Sequence, residues 1–195
     1  MSAVANASRE LTAELRRRLS GRVAIVGVGN PLRGDDGVGS VVARKLRRAF
    51  AWVPATEATR DAGVATVAIV DAEEIPESYL DVLEAARPAV VVLVDAAELG
   101  CAPGSVTLVE GARLEDHTAY THRTPLAPVV RYVRERTGAT VLLAGIQPGG
   151  PRWGDALSAD VEDTANRLAN IIWDALRPTP VESVAAALTP EAPVC

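Results

Sequence analysis

Val23-Ala-Ile-Val-Gly-Val-Gly-Asn-Pro-Leu-Arg-Gly-Asp-Asp-Gly-Val-Gly39 begins as a strand and ends as a helix. The opening run is apolar and β-branched, the pattern of a strand buried on both faces. Gly27, Gly29, Asn30-Pro31 and Gly34 then supply residues that permit tight or unusual backbone angles. An acidic pair, Asp35-Asp36, closes the turn just before an amphipathic stretch. Two carboxylates therefore stand at the carboxyl end of a core strand, where open α/β sheets bind their ligands. A loop that offers anionic oxygen suits a cationic or metallic ligand.

A dinucleotide-binding turn also places Gly-x-Gly between a strand and a helix. The remainder of that fingerprint is missing. Its third glycine would fall on Leu32, and no acid ends a strand about 20 residues past the turn. Two carboxylates would also repel a pyrophosphate. A nucleotide-binding oxidoreductase is therefore the weakest of the readings considered.

The pattern continues outward on both sides. Residues 7–19 predict a charged helix outside the core, part of an N-terminal extension over 1–20. The first strand spans about 22–28. A helix over 37–50 carries Val38, Val41, Val42, Leu46 and Phe50 on one face. Residues 51–63 read as loop. Strand two, Thr66 to Val70, ends at Asp71, and a short helix follows over 76–86. Strand three, Ala89 to Val94, ends at Asp95. A shorter strand at 105–109 follows the Pro103-Gly104 turn. Thr124-Pro125 starts a helix, with a capping hydroxyl and proline at the first helical position. Gly138 ends that helix. A fifth strand covers 140–144, and the last helix covers 158–176. Residues 178–195 carry several prolines and read as a disordered tail. The alternation predicts one three-layer α/β/α domain over 21–177 with a mostly parallel, mixed five-stranded sheet. The strand at 105–109 follows strand three too closely for a helical crossover, so it should be antiparallel.

The bulk properties exclude several functions. The chain has 195 residues, 48% of them hydrophobic, and a net charge of −5. That balance argues against a nucleic-acid binder. No apolar run is long enough to span a bilayer, and the N-terminus shows no secretory core, so a cytoplasmic location is expected. The cysteines, Cys101 and Cys195, lack metal-ligand spacing. Neither a Gly-x-Ser-x-Gly elbow nor a Cys/His pair supports nucleophilic catalysis.

Three strands lead into aspartate: Asp35-Asp36, Asp71 and Asp95. If they are parallel neighbours, these carboxylates converge on one rim of the sheet. The segment Asp116-His-Thr-Ala-Tyr-Thr-His-Arg123 holds both histidines, His117 and His122. Two Asp oxygens and one His nitrogen form a mixed set suited to Ni²⁺ or Zn²⁺, with positions open for water or substrate. Residue type alone does not choose between the histidines. An aspartate at a strand end also serves often as a turn former, which is the reading taken for Asp35, with Asp36 left free.

Four segments then occur in order: Gly29 to Gly39, Val94-Asp-Ala-Ala-Glu-Leu-Gly100 with Pro103-Gly104, Thr121-His122 before a helix, and Gly145-Ile-Gln-Pro148. Together they resemble the maturation endopeptidases of [NiFe] hydrogenases over about residues 22–176. The Asp-Asp-Gly form and Pro76-Glu77 are similar to the formate-hydrogenlyase branch. The resemblance implies an α/β/α fold and a cytoplasmic peptidase, metal-dependent or aspartic-type. Such an enzyme trims a short C-terminal peptide from the hydrogenase large-subunit precursor. It implies Asp36, Asp95 and His122 as both metal-binding and catalytic residues, with Asp35 and Asp71 as secondary candidates. The metal is nickel presented by the substrate, with Zn²⁺ or Cd²⁺ able to substitute. One departure stands out: the family's Asp-Gly-Gly after strand two reads Asp71-Ala72-Glu73-Glu74 here. That change motivates an alternative, a non-catalytic nickel-checking chaperone on the same fold.

Overall fold

The computed structural model describes residues 3–51, 66–116, 126–150, 154 and 156–176. Its strands are β1 (Arg22–Val28), β2 (Thr66–Glu73), β3 (Val90–Ala96), β4 (Val106–Glu110) and β5 (Thr140–Ile146). Its helices are α1 (Ala3–Arg18), α2 (Val38–Phe50), α3 (Leu80–Ala86), α4 (Gly111–Asp116), α5 (Leu126–Thr137) and α6 (Ala159–Leu176). The sheet order is β2-β1-β3-β5-β4. β4 runs antiparallel to β5, and the other pairings are parallel. The three-layer mixed sheet expected from the alternation is therefore present.

Each face of the sheet has its own core. Val23 and Ile25 of β1, with Val92 and Val94 of β3, pack beneath α1, α2 and α6. Ala24, Val26 and Val28, with Val91 and Leu93, pack beneath α3 and α5. This period-2 division follows from the pleat. It also explains why the central strands read as unbroken apolar runs, because both faces are covered.

The glycines of the opening stretch serve the chain's own packing. A Cβ at Gly27 would lie 2.2 Å from Gly39 O, and one at Gly39 would lie 2.0 Å from Val94 O. These absences let α2 settle directly on β1 and β3. Gly29 has φ +117°, and a Cβ there would lie 1.8 Å from Asp36 O. The close approach that a dinucleotide turn reserves for pyrophosphate is filled by the acidic turn itself.

Two expectations are corrected. The first helix does not lie outside the core: Leu15 and Leu19 are 1% and 5% exposed and join the cluster under α6. Its charged residues occupy the other face, and Arg16 donates to the carbonyl of Asp174 near the end of α6. Strand two does not end at Asp71. It continues to Glu73 through a bulge that pairs Gly27 with Asp71 and Val28 with Glu73, leaving Ala72 without a partner. Glu73 has φ +49°, a left-handed conformation that costs a residue bearing a side chain roughly 1–2 kcal/mol. Glycine at that position is thereby explained. Here the Gly29 N–H bonded to Glu73 O at 2.8 Å holds the conformation, as does the Arg44–Glu73 contact at 2.9 Å.

α4 was not expected from the sequence. Thr124-Pro125 and residues 178–195 lie outside the described residues, and α5 ends before Gly138, at φ +69°. Among the described residues no helix is long and apolar enough to cross a membrane.

The docking of α1 gives a direct test. Leu15→Ala should lower stability by about 2–5 kcal/mol, the usual range for a buried leucine truncation. Chemical denaturation of the variant checks this. A loss under about 1 kcal/mol would show that α1 contributes little to the core.

Candidate active site at the carboxyl edge of the sheet

The strand order reverses between β1 and β3, since β2 lies on one side of β1 while β3 and β5 extend from the other. Loops leaving the carboxyl ends of β1 and β3 therefore diverge, and a crevice opens between them. Asp36 stands on the first of these loops. Asp95 is the penultimate residue of β3.

The acidic turn is a 3-10 segment, Gly34–Gly37, leading into α2. Asp36 is half-buried, and its Oδ2 accepts the N–H of Asn30 at 3.2 Å. Asn30 in turn accepts the Leu32 N–H through Oδ1 at 2.8 Å. Asp95 is 7% exposed. Burial pushes its carboxyl up from 3.8 to about 8, opposed by a hydrogen bond from the Ala96 backbone and reinforced by the charge of Asp36. A buried carboxyl facing a like charge holds a proton at neutral pH unless a cation replaces it.

Asp35 takes a different part from the local turn former expected. It is 2% exposed. Its Oδ1 accepts the Ser158 N–H at 2.7 Å, and its Oδ2 accepts the Gly149 N–H at 2.8 Å and the Ser158 hydroxyl at 2.9 Å. These partners lie more than a hundred residues away in the chain. Ser158 immediately precedes α6, so the carboxylate sits at the positive end of that helix dipole. The local bond within the turn is made by Asp36.

Asp71 is not gathered with Asp36 and Asp95. It follows Val67 and Ile69 on the α2 face of the sheet, whereas Asp95 follows Val91 and Leu93 on the other. Its Oδ2 accepts from Arg44 Nε at 2.5 Å. The sequence gives no sign of this pairing across 27 positions. His122 and His117 lie outside the described residues. Among the described residues no group of three His, Cys, Asp or Glu is placed to hold an ion.

Gln147 was quoted only as part of a motif, yet it organises the loop after β3. It is 6% exposed. Its Oε1 accepts the Leu99 N–H at 2.7 Å, and its Nε2 donates to Glu98 at 3.0 Å. Cys101 is exposed, and its thiol reaches the Leu99 carbonyl.

A doubly covered sheet with one acid on the loop after β1 and another at the end of β3, beside its switch point, has the layout of an α/β enzyme. Comparison with known proteins carries this to a family. A model of the hydrogenase maturation protease family, of the HycI type, matches residues 41–175. That span begins just past the acidic turn and includes Asp95. A putative hydrogenase maturation protease of Methanocaldococcus jannaschii is 28% identical over 127 residues, 65% of this chain and 72% of the relative. The hydrogenase 3 maturation protease of Escherichia coli is 29% identical over 124 residues, 62% of this chain and 69% of the relative. The solved [NiFe] hydrogenase maturation protease HycI of Thermococcus kodakarensis superposes with a TM-score of 0.72 at 31% identity. That match spans 85% of this chain and 99% of the other. The chain belongs to the hydrogenase maturation protease family, and it is a peptidase. The chaperone and oxidoreductase alternatives give way to that assignment.

The Asp95 shift carries a sign that can be measured. Between 3.8 and about 8 the folded protein holds a proton that the unfolded chain releases. Stability should therefore fall as pH rises through that window. Asp95→Asn should raise the melting temperature at pH 7–8 and flatten this slope, which thermal melts across pH would show. A variant less stable than wild type throughout would contradict the burial penalty.

Proposed function

We propose that the chain removes a short C-terminal peptide from the large-subunit precursor of a [NiFe] hydrogenase once nickel is in place. The precursor's nickel is part of what the enzyme recognises. The Asp36–Asp95 pair carries this reading. A desolvated carboxyl with a second acid on the neighbouring loop is poorly served by that acid and well served by a divalent cation. Oxygen donors of this kind, with a nitrogen from His122 as the family resemblance implies, suit a borderline ion such as Ni²⁺ and would tolerate Zn²⁺ or Cd²⁺. With the precursor's thiolates holding the nickel, the acids need only complete its coordination. Free enzyme would then bind metal weakly.

The residues do their work by position. Asp36 is held by the Asn30 N–H through one carboxylate oxygen, which leaves the other for a cation. Asp95 gives up its proton when the cation arrives, so binding should release protons and weaken as pH falls. Nickel held by the precursor would supply Lewis-acid chemistry, polarising the scissile carbonyl or lowering the pKa of a water. Hydrolysis then adds the water oxygen to the carbonyl carbon, and a proton from that water passes to the departing amine as the C–N bond breaks.

A second reading has support from the same shift. A protonated Asp95 with a second acid on the neighbouring loop resembles an aspartic-protease dyad, in which like charges keep one proton between two carboxyl groups. The two readings separate on His122 and on the metal.

Cleavage of nickel-loaded and nickel-free precursor by wild type, Asp36→Asn and His122→Ala is the test. The metal-recognition reading expects cleavage of loaded precursor only. It also expects each substitution to lower the rate by about 100-fold or more, the scale of losing a group that stabilises the reacting centre. Folding should be retained in both variants. Equal cleavage of nickel-free precursor, with full activity in His122→Ala, would reject it in favour of the dyad.

A further inference from the structure

Asp95 is held within the sheet, opposite Gly145 in the β3–β5 ladder, whereas Asp36 lies on the loop beyond the β1–β3 ladder, which pairs residues only as far as Gly27 and Val94. Something other than the sheet must therefore place Asp36 relative to Asp95. We propose that the backbone at Gln147, Gly149 and Ser158, with the first turns of α6, is the frame that does so. Asp35 is the positioning residue that couples Asp36 to this frame. The inference rests on the reading of Asp36 and Asp95 as one cation-receiving pair.

Both loops are tied to the same frame by independent bonds. On the β1 side, the Asp35 carboxylate accepts from Gly149 N, Ser158 N and Ser158 Oγ at 2.7–2.9 Å. A Cβ at Gly149 would lie 3.2 Å from Asp35 Oδ2, so glycine lets the backbone come this near. On the β3 side, Gln147 holds Leu99 N and Glu98 through its side-chain amide. The Gly104 N–H donates to Gln147 O at 2.8 Å. Gly104 O accepts the hydroxyl of Thr164, on α6, at 2.7 Å. A Cβ at Gly104 would lie 2.7 Å from Asp160 O, so this loop also rests directly on the start of α6.

Asp35 transmits the frame to Asp36 because the two share one 3-10 turn that has little freedom. A Cβ at Gly37 would lie 2.5 Å from Pro31 Cα, and Gly29 closes against Asp36 O. Both Asp35 oxygens are engaged by the frame, and the residue is 2% exposed. It acts on the site through Asp36 and does not touch substrate. Replacing it with asparagine does not conserve this role. The amide can keep an acceptor toward one side only and turns an N–H toward a donor on the other.

Full-length wild type, Asp35→Asn, Ser158→Ala and the double variant would be compared well below their melting temperatures. Three readouts apply: kcat and KM on nickel-loaded precursor, Cd²⁺ affinity by calorimetry, and amide exchange over residues 30–37. Asp35→Asn should lower kcat roughly tenfold or more, on the scale of a small misplacement of a reacting group. KM should change much less. Cd²⁺ binding should weaken severalfold, and exchange over 30–37 should quicken. Ser158→Ala keeps the charge and deletes one bond, so it should move all three readouts the same way by a smaller amount. The double variant should add little to Asp35→Asn. If Asp35→Asn does not fold, the graded effect of Ser158→Ala decides. Wild-type kcat, Cd²⁺ affinity and exchange in the folded variants would overturn the proposal. So would a loss confined to Asp35→Asn, which would assign the effect to charge. If wild type neither cleaves the precursor nor binds Cd²⁺, the cation reading fails, while exchange over 30–37 still reports on the frame.

Discussion

An acid is buried at the sheet's switch point, where the loops leaving β1 and β3 part, with a second acid on the loop after β1. Asp95 is buried at the end of β3, and the charge of Asp36 adds to the burial that raises its pKa to about 8. Left alone, this arrangement opposes folding, because the unfolded chain would ionise both acids in water. A protein retains such a pair only where the surrounding structure outweighs its cost. That cost makes the pair receptive to a cation, and the rest of the edge can be understood as what holds it in place.

The holding begins with missing atoms. Gly27 and Gly39 let α2 lie against β1 and β3 at backbone distance, and Gly29 lets the acidic turn fold back onto its own strand. It continues with polar groups whose partners are remote: Asp35 on Gly149 and Ser158, and Gln147 on the loop after β3. The Arg44–Asp71 pair belongs to the other face and braces the bulged end of β2. There Glu73 takes a conformation that glycine takes without strain. The change from the family's Asp-Gly-Gly thus adds charge at the end of β2, at a position whose backbone carbonyl bonds to Gly29 at the base of the acidic turn.

Much of the fold was legible because its signals are local and periodic. The apolar runs of β1, β3 and β5 announce strands covered on both faces. The short gap before β4 forces an antiparallel turn. The helical stripes of α2, α5 and α6 mark their buried sides. The docking of α1 was not legible, because a helix rich in arginine, with Leu11 and Leu15 at its inner face and Leu19 just past its end, resembles a solvated one. Asp36 and Asp95 were visible as acids at or just past strand ends, since strand order sets β1 beside β3. Their supports were not. Asp35 looks like a turn former in any local window, and the carboxylate's true partners lie more than a hundred residues away. Asp71 looks like a third rim acid, but the pleat sends it to the other face.

The central claim is that the acids meet the nickel carried by the precursor. X-ray absorption at the nickel edge, recorded on loaded precursor alone and on its freeze-trapped complex with the enzyme, tests this most directly. The account predicts that oxygen or nitrogen scatterers join the sulfur shell in the wild-type complex and that this gain is lost with Asp36→Asn. A nickel spectrum that stays the same in the complex, while the bound precursor is still cleaved, would contradict it.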